Sequence, residues 1–447
     1  MTYLLIMLFG IGLGALAASN FRRAVQALIL LLPAYLIRLT IGPLPTTLLE
    51  IAFVVIFLVW LIKYSRNDYA KIKIFFLKHQ FFSCALAVFL FASVVSIFRS
   101  DMVIASLGQW RAYFLEPVLV FVVLIARREE LPATSLINAL GLSTLSVAAF
   151  GIYQAFTGFH LPTNDGQIIS ERTTSLFSSP NAVGLFVVPV LLLVLPEISR
   201  LSKKLPKEKI DKVLLAGYSF LYLVNLVVLV LTKSLGSLAG LFGGIIVYLF
   251  FIGKRKLSAV LLGLPLLFAL LVFVPNREFL ATKIRSGGNR VTLWAYSFQY
   301  LRASPDNFIL GTGIRQFFRK IQRPHYDPKK MERLIYPHNI FLNFWTETGL
   351  LGMIGFMGIF GYLVFVSIRM IKKHSSRQPD PSLCLSPARG ERNERANISS
   401  SDHGQRVLAA SFLAVLSAIL IHGMVDVPYF KNDLAMLFWI VAAIILS

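Results

Sequence analysis

The sequence predicts an all-α, polytopic transmembrane bundle of about 12–13 helices with one large extracytoplasmic loop that carries short helices. Three observations predict it. The 447 residues are 56% hydrophobic and only 15% charged, and a soluble globule of that length would lack the polar residues to cover its surface. The apolar residues fall in runs of about 20, the length that crosses a bilayer. The basic residues gather in alternate connections, as the positive-inside rule requires. That clustering also accounts for the net charge of +22, 44 basic against 22 acidic side chains, so no nucleic-acid partner is expected.

The apolar runs lie near 2–19, 25–42, 45–62, 79–98, 111–127, 133–156, 181–198, 212–232, 235–252, 257–275, 338–371, 407–425 and 432–447. The first ends in a weak Ala-x-Ala-like stretch but lacks the basic start of a signal peptide, so it reads as a transmembrane helix. The run at 338–371 is too long for one straight span and must project beyond the bilayer or bend. The connections 20–23, 63–78, 126–130, 200–212, 254–256 and 369–406 are basic. They fall on one side, the cytoplasmic one, if the N-terminus starts outside. The connections 43–44, 99–110, 157–180, 233–234, 276–337 and 426–431 then face outward. The chain divides into N-terminal helices over 1–275, an outer loop over 276–337 and C-terminal helices over 338–447. Residues 375–404 are rich in Pro, Ser and Arg without periodicity and read as a disordered cytoplasmic insertion. Cys84 and Cys384 form no framework, and no Cys/His or acidic cluster suggests a metal, so no cofactor is expected.

The outer loop 276–337 is rich in Lys and Arg, among them Arg285, Arg290 and Arg315. Long outer segments translocate regardless of charge, and a basic surface there suits an anion: membrane lipid headgroups or a diphosphate. Val291, Trp294, Ala295, Phe298 and Leu301 share one helical face, with Asn289 as a plausible N-cap. A helix starting there would aim its positive end and Arg290 at one place; an interfacial helix with a snorkelling arginine fits equally. The loop closes on Tyr336-Pro337-His338-Asn339, with His338 at the outer end of the next helix and Asn339 as its cap. Glu347 lies nine residues on, about 13 Å deeper at 1.5 Å per residue; a carboxylate there is a site or a structural lock. Gly349, Gly352, Gly355, Gly358 and Gly361 recur every third position, a pattern for close helix packing. Arg172 precedes Ser178-Ser179-Pro180-Asn181 on the same side. His422 and Asp426, four apart, would share a helix face at the outer end.

These pieces together resemble the O-antigen ligase family of bacterial membrane glycosyltransferases, which includes related glycan polymerases and protein O-glycosylating enzymes. Arg172 followed by Pro180-Asn181 and Gly184 is similar to its arginine and Pro-Asn-x-x-Gly element. Asn289-Arg290 with Trp294, followed by Gly311-Thr312-Gly313, resembles its arginine–tryptophan and Gly-x-Gly segment. Pro337-His338-Asn339 with Glu347 and Gly349 resembles its His-Asn hallmark, and His422-Gly423 with Asp426 and Pro428 its C-terminal signature. The family often shows Ser-Arg-Gly where this chain reads Lys233-Ser234-Leu235-Gly236; Lys233 is the charge left nearby.

The resemblance implies a metal-independent, inverting transfer of a glycan from undecaprenyl diphosphate to an acceptor such as lipid A–core. The reaction would take place at the periplasmic face of the bacterial inner membrane. It implies that Arg172 and Arg290 hold the diphosphate, with Arg285 and Arg315 as further candidates. His338 would serve as base or acceptor-positioning group, and Asp426 as its acceptor-side support. Asn339, Glu347 and Lys233 would stand behind them. A glycan or exopolysaccharide polymerase using the same donor fits the same residues. A polysaccharide or lipid-linked transporter is the reading from another class; such proteins usually show repeated halves and midplane polar residues, and no internal repeat is evident here.

Overall fold

The computed structural model describes residues 2–41, 44–161, 172–203, 209–262, 277–328, 333–375 and 389–447, with main chain only for 2, 41, 44, 203, 277–286, 375 and 389–403. Among these, seven helices are long and apolar enough to cross a membrane, eight if a bent pair counts as one span, and three shorter apolar helices accompany them. The chain is a polytopic all-α protein. With the short and broken pieces included, the described residues hold eleven such segments, fewer than the about thirteen expected from hydropathy. The run at 257–275 lies mostly outside the described residues.

The first departure comes early. Helix α1 (Thr2–Ser19) is followed by α2 (Phe21–Leu30), a 3₁₀ turn (Leu32–Leu36) and a hairpin of β1 (Arg38–Ile41) and β2 (Leu44–Thr47). The run at 25–42 is therefore not one helical span. Pro33 in the turn has no N–H to continue the α ladder. The hairpin is antiparallel with Arg38 opposite Thr47. It feeds α3 (Leu48–Lys63) through a capping box in which Thr47 and Glu50 satisfy each other's main-chain N–H groups.

Helix α4 (Ser65–Lys78) turns 96° from α3, so the basic connection at 63–78 is a helix rather than a loop. Its corner is fixed by the Trp60 indole donating to Asp68 at 3.0 Å. Arg127 sits 3.5 Å from the same carboxylate and 4.2 Å above the Tyr64 ring. After α5 (Gln80–Phe98), helix α6 (Val103–Trp110), a π-helical turn (Arg111–Leu115) and α7 (Glu116–Ala126) run on as one apolar span from Val103 to Ala126. The connection expected at 99–110 is thus mostly helical. The succession continues with α8 (Ala133–Thr157), α9 (Pro180–Lys203), α10 (Lys209–Leu231), α11 (Leu235–Phe251), α12 (Arg277–Arg302), α13 (Pro305–Leu310), α14 (Ile340–Ser375), α15 (Arg389–Gly423) and α16 (Asn432–Leu446). Residues 389–404, expected within a disordered insertion, begin α15; 376–388 lie outside the described residues.

Helix α16 is the hub, buried along its whole length. Trp439 and Phe438 stack into an aromatic cluster with Phe89, Phe121, Phe356 and Tyr429. Apolar packing of this kind holds helices together where no water remains to be expelled. The long run at 338–371 bends, as its length required. Gly349 takes φ 74° and ψ 177° inside α14, the left-handed region open to glycine. The break leaves the carbonyls of the preceding turn without helical donors. Thr312 fills one place, giving its N–H at 2.6 Å and its hydroxyl at 2.9 Å to Thr346 O. Gly311 and Gly313 flank it with positive φ. A Cβ on Gly311 would lie 2.4 Å from Thr346 O, and one on Gly313 would lie 2.8 Å from Ser96 O. Beyond the break, Gly355 and Gly358 let α5 approach through Phe89 and Ala85.

Candidate functional site

The site lies where several helices begin. Asn339 caps α14, its Oδ1 accepting the N–H groups of Phe341 and Leu342 at 3.1 Å each. This is the cap the sequence suggested. Ser234 caps α11 through the Ser237 N–H, and α9 starts at Pro180. Their first turns are tied together by side chains. Asn181 Nδ2 donates to Asp426 Oδ2 at 2.9 Å, and Ser234 Oγ donates to Asn181 Oδ1 at 2.9 Å. Exposed N–H groups at helix starts favour negative charge.

His338 precedes the α14 cap in a left-handed conformation, φ 53°, which costs a non-glycine residue about 1–2 kcal/mol. The neighbours that hold it there are specific. The Trp294 indole donates to Pro337 O at 2.9 Å, the Asn339 cap fixes the next residue, and the Tyr336 ring packs edge-on at 5.2 Å. His338 Nδ1 then lies 3.4 Å from Asp426 Oδ1. This is a close polar contact rather than a formed hydrogen bond, since Nδ1 finds no partner in hydrogen-bonding geometry among the described residues.

Asp426 is buried and well supported. Besides Asn181, the Val427 N–H donates to its Oδ1 at 2.9 Å. Burial acts to raise its carboxyl, but the His338 contact, the His422 imidazole and the Val427 N–H outweigh that. They hold it well below the usual carboxylate range. The expectation that His422 and Asp426 share a helix face is corrected: α15 ends at Gly423, and Asp426 stands in the turn beyond it. His422 is buried on the last turn, where Gly236 gives it room; a Cβ there would lie 2.9 Å from its ring.

Arg172 is held by the end of α10. Its Nε donates to Thr232 O at 2.9 Å and an Nη to Lys233 O at 3.2 Å. Carbonyls at a helix C-terminus carry partial negative charge and suit a guanidinium. Gln154, fully buried, orders the segment behind it by accepting the N–H groups of Thr174 at 2.8 Å and Ser175 at 2.9 Å. Arg172 is depressed from its ordinary value, first by burial and then by the charge of Arg290. Two guanidinium groups thus converge, and Arg290 also lies within electrostatic reach of His422. Neither guanidinium has a carboxylate partner among the described residues.

The helix start expected at Asn289 is absent. α12 runs from Arg277 to Arg302 straight through Gly287 and Gly288. Neither glycine adopts positive φ, and their helical faces meet open space. Glycine weakens a helix interior without forcing a break. Arg290 reaches the site from mid-helix, so it contributes charge without free N–H groups. Lys233 contributes its main chain at φ 49° and an acceptor carbonyl for Arg172.

Arg315 meets a different group. It is exposed at φ 65°, and its main-chain N–H and charge meet the buried carboxyl of Glu347. Glu347 is therefore held by the docked 311–315 turn, next to the break at Gly349. The side chain of Arg285 lies outside the described residues. Asn181 and Gln154 were not among the residues expected to serve the site. Asn181 belongs to the Pro180-Asn181 element, and Gln154 is a buried amide in a spanning helix, a costly placement that itself signals a bonding role. Among the described residues no group of three His, Cys, Asp or Glu side chains gathers that could hold a metal ion.

The fold and the cluster at its helix starts define a multi-pass, all-α membrane protein with cationic groups set beside a His–Asp pair. Residues 220–357 match the family model described as O-Antigen ligase. The match takes in Arg290, Trp294, Gly311–Gly313, His338, Asn339 and Glu347, and over these residues the chain is similar to the O-antigen ligase family. Arg172 and Asp426 lie outside the matched residues and are joined to them by the fold. No curated protein matches the chain. The family implies a ligase- or polymerase-like function with lipid-linked glycan and acceptor partners.

Proposed function

We propose that the protein transfers a glycan from undecaprenyl diphosphate to a hydroxyl of an acceptor such as lipid A–core. The site would face the periplasm, at the outer side of the bacterial inner membrane. The observation that carries this reading is the convergence of Arg172 and Arg290, without carboxylate partners among the described residues, beside the His338–Asp426 pair. Two clustered cations and neighbouring helix starts suit a diphosphate. Asp426 orients the imidazole through Nδ1, leaving Nε2 to face an acceptor hydroxyl. As the acceptor oxygen bonds the anomeric carbon, its proton passes to His338. The bond from that carbon to the diphosphate oxygen breaks, and the sugar carbon inverts in this single displacement. The charge released on the diphosphate falls to Arg172 and Arg290, so cationic side chains do the electrostatic work. Arg315 and Arg285 would extend the basic surface toward the lipid headgroups.

The test is transfer in reconstituted membranes, with undecaprenyl diphosphate-linked glycan as donor, lipid A–core as acceptor and EDTA present. Wild type should transfer, while His338→Ala and Arg290→Ala should lose at least a hundredfold and remain folded in the membrane. Full activity in either variant would remove that residue from the mechanism. Longer lipid-linked chains without modified lipid A–core would identify a polymerase.

A further inference from the structure

Helix α4 has two apolar faces, and the bundle uses one of them. The buried face carries Asp68 and Phe75. Phe75 packs against Phe82 and Phe121, with ring centroids 6.3 and 5.8 Å apart. The other face carries Ala70, Ile74 and Leu77 at i, i+4 and i+7. Ile74 is 64% exposed and Leu77 59%. Cations border this strip on both sides. Arg66 and Lys73, seven apart, run along one edge, and Lys71 and Lys78, also seven apart, along the other. All four are exposed. The one acid of the helix, Asp68, is buried and taken up by Trp60 and Arg127. Lys71 pairs with Glu129 at 2.8 Å, whereas Arg66, Lys73 and Lys78 have no carboxylate partner among the described residues.

The place of α4 in the fold says what covers this strip. Its 96° turn from α3 lays it across the end of a span, the level at which headgroups lie. That end is the one away from the candidate site. Helix α5 returns from α4 over 19 residues, about 28 Å, and beyond its far end Ser100 accepts the Gln316 amide of the docked turn at 2.7 Å. The spanning helices on either side of α4 turn apolar residues outward next to it. Ile62 at the end of α3 is 85% exposed, and Phe81 at the start of α5 is 62% exposed. The strip on α4 continues this apolar surface, and its basic edges are long side chains that can lay their stems along lipid and reach a phosphate.

We propose that the outward face of α4 is a docking surface for anionic phospholipid, in the leaflet on the side away from the candidate site. Headgroup phosphates pair with Arg66, Lys73 and Lys78, and acyl chains cover Ala70, Ile74 and Leu77. This surface is separate from the transfer chemistry. The charge pattern selects the lipid class, because α4 offers three unpaired cations and no exposed carboxylate to repel a phosphate. Orienting a chain in the membrane requires only that a connection be basic. It does not require an exposed apolar strip with cations along both edges. A soluble partner would need the strip turned to water, whereas the exposed Ile62 and Phe81 beside it belong to helices that lipid surrounds.

The experiment places a fluorophore on Ala70→Cys in the full-length chain carrying Cys84→Ser and Cys384→Ser. The protein is held in phosphatidylcholine nanodiscs with a fixed minor fraction of either phosphatidylglycerol or phosphatidylcholine brominated on its acyl chains. Brominated phosphatidylglycerol should quench at least twofold more than brominated phosphatidylcholine. That excess should vanish on adding Arg66→Gln, Lys73→Gln and Lys78→Gln together, and should at least halve in high salt, which screens exposed charges. Equal quenching by the two lipids overturns the preference for anionic lipid. No quenching by either overturns lipid docking and leaves the face to a soluble partner. An excess that survives either the triple substitution or high salt overturns the role of these cations.

Discussion

Five glycines recur every third residue from Gly349 to Gly361, and the structure ranks them sharply. A Cβ on Gly349 would lie 2.3 Å from Ile309 O and 3.0 Å from Leu310 Cα, at φ 74°. A Cβ on Gly355 would lie 2.7 Å from Phe89 N, while one on Gly361 would meet nothing within 4 Å. Alanine at Gly349 therefore incurs two costs. The main chain there, positive in φ and extended in ψ, is essentially reserved for glycine and costs another residue about 1–3 kcal/mol, and a clash with main-chain atoms that cannot swing away costs about 1–3 kcal/mol more. The sum is about 2–6 kcal/mol. Gly361→Ala should instead be neutral, or stabilising by up to about 1 kcal/mol through helix propensity. The assay is thermal unfolding of the purified variants in one detergent, followed by intrinsic fluorescence and size-exclusion recovery. Gly349→Ala should unfold several degrees below wild type and lose transfer, because the Gly311–Gly313 turn can no longer dock on Thr346. Gly361→Ala should match wild type in both. If the two variants unfold together, the break at Gly349 and the docking built on it are wrong.

Further outcomes follow from the site. Asn181→Ala removes a charge-assisted hydrogen bond to Asp426, worth about 1.5–3 kcal/mol, and should lower both stability and kcat; wild-type behaviour in thermal shift and transfer assays would show that Asn181 does not support Asp426. Trp294→Phe keeps the packing but frees Pro337 O. It should cost about 1 kcal/mol and lower kcat more than donor KM, as His338 loses its fixed pose; a change in donor KM alone would contradict this. The Asp426 carboxyl is depressed in the fold from an ordinary value of 3.8. Its contribution to stability is thus fully present above that value and is lost as pH falls below it toward the folded value. Unfolding midpoints measured down to acid pH should fall less steeply in Asp426→Asn, and parallel slopes would refute the pairing. Arg172→Lys keeps the charge but cannot bond Thr232 and Lys233 carbonyls together. It should raise the KM for the lipid-linked donor at least tenfold, read in the same transfer assay.

Much of this protein was legible in the residues. Apolar runs near 20 residues identified most spans, because a bilayer offers unsatisfied backbone groups no water. The Pro337-His338-Asn339 segment read correctly as a helix start with Asn339 as cap, since capping is local chemistry. The length of the 338–371 run required a bend. Local signals failed where tertiary contacts set the cost. Gly287 and Gly288 signalled a break that α12 does not make, while Gly349, one of five similar glycines, is where the chain breaks. Nothing in a spacing of three tells these apart; what does is the docked turn whose Thr312 takes up the exposed carbonyl of Thr346. The run at 25–42 looked like one span because hydropathy does not register that Pro33 ends a helix and a hairpin follows. Composition and periodicity by themselves settled that the chain is a helical membrane protein, and its motifs pointed to a family. The meeting of Arg172 with Arg290 and of Asn181 with Asp426 belongs to the tertiary structure. Those partners are separated by up to hundreds of residues, and only helix packing sets which charges become neighbours.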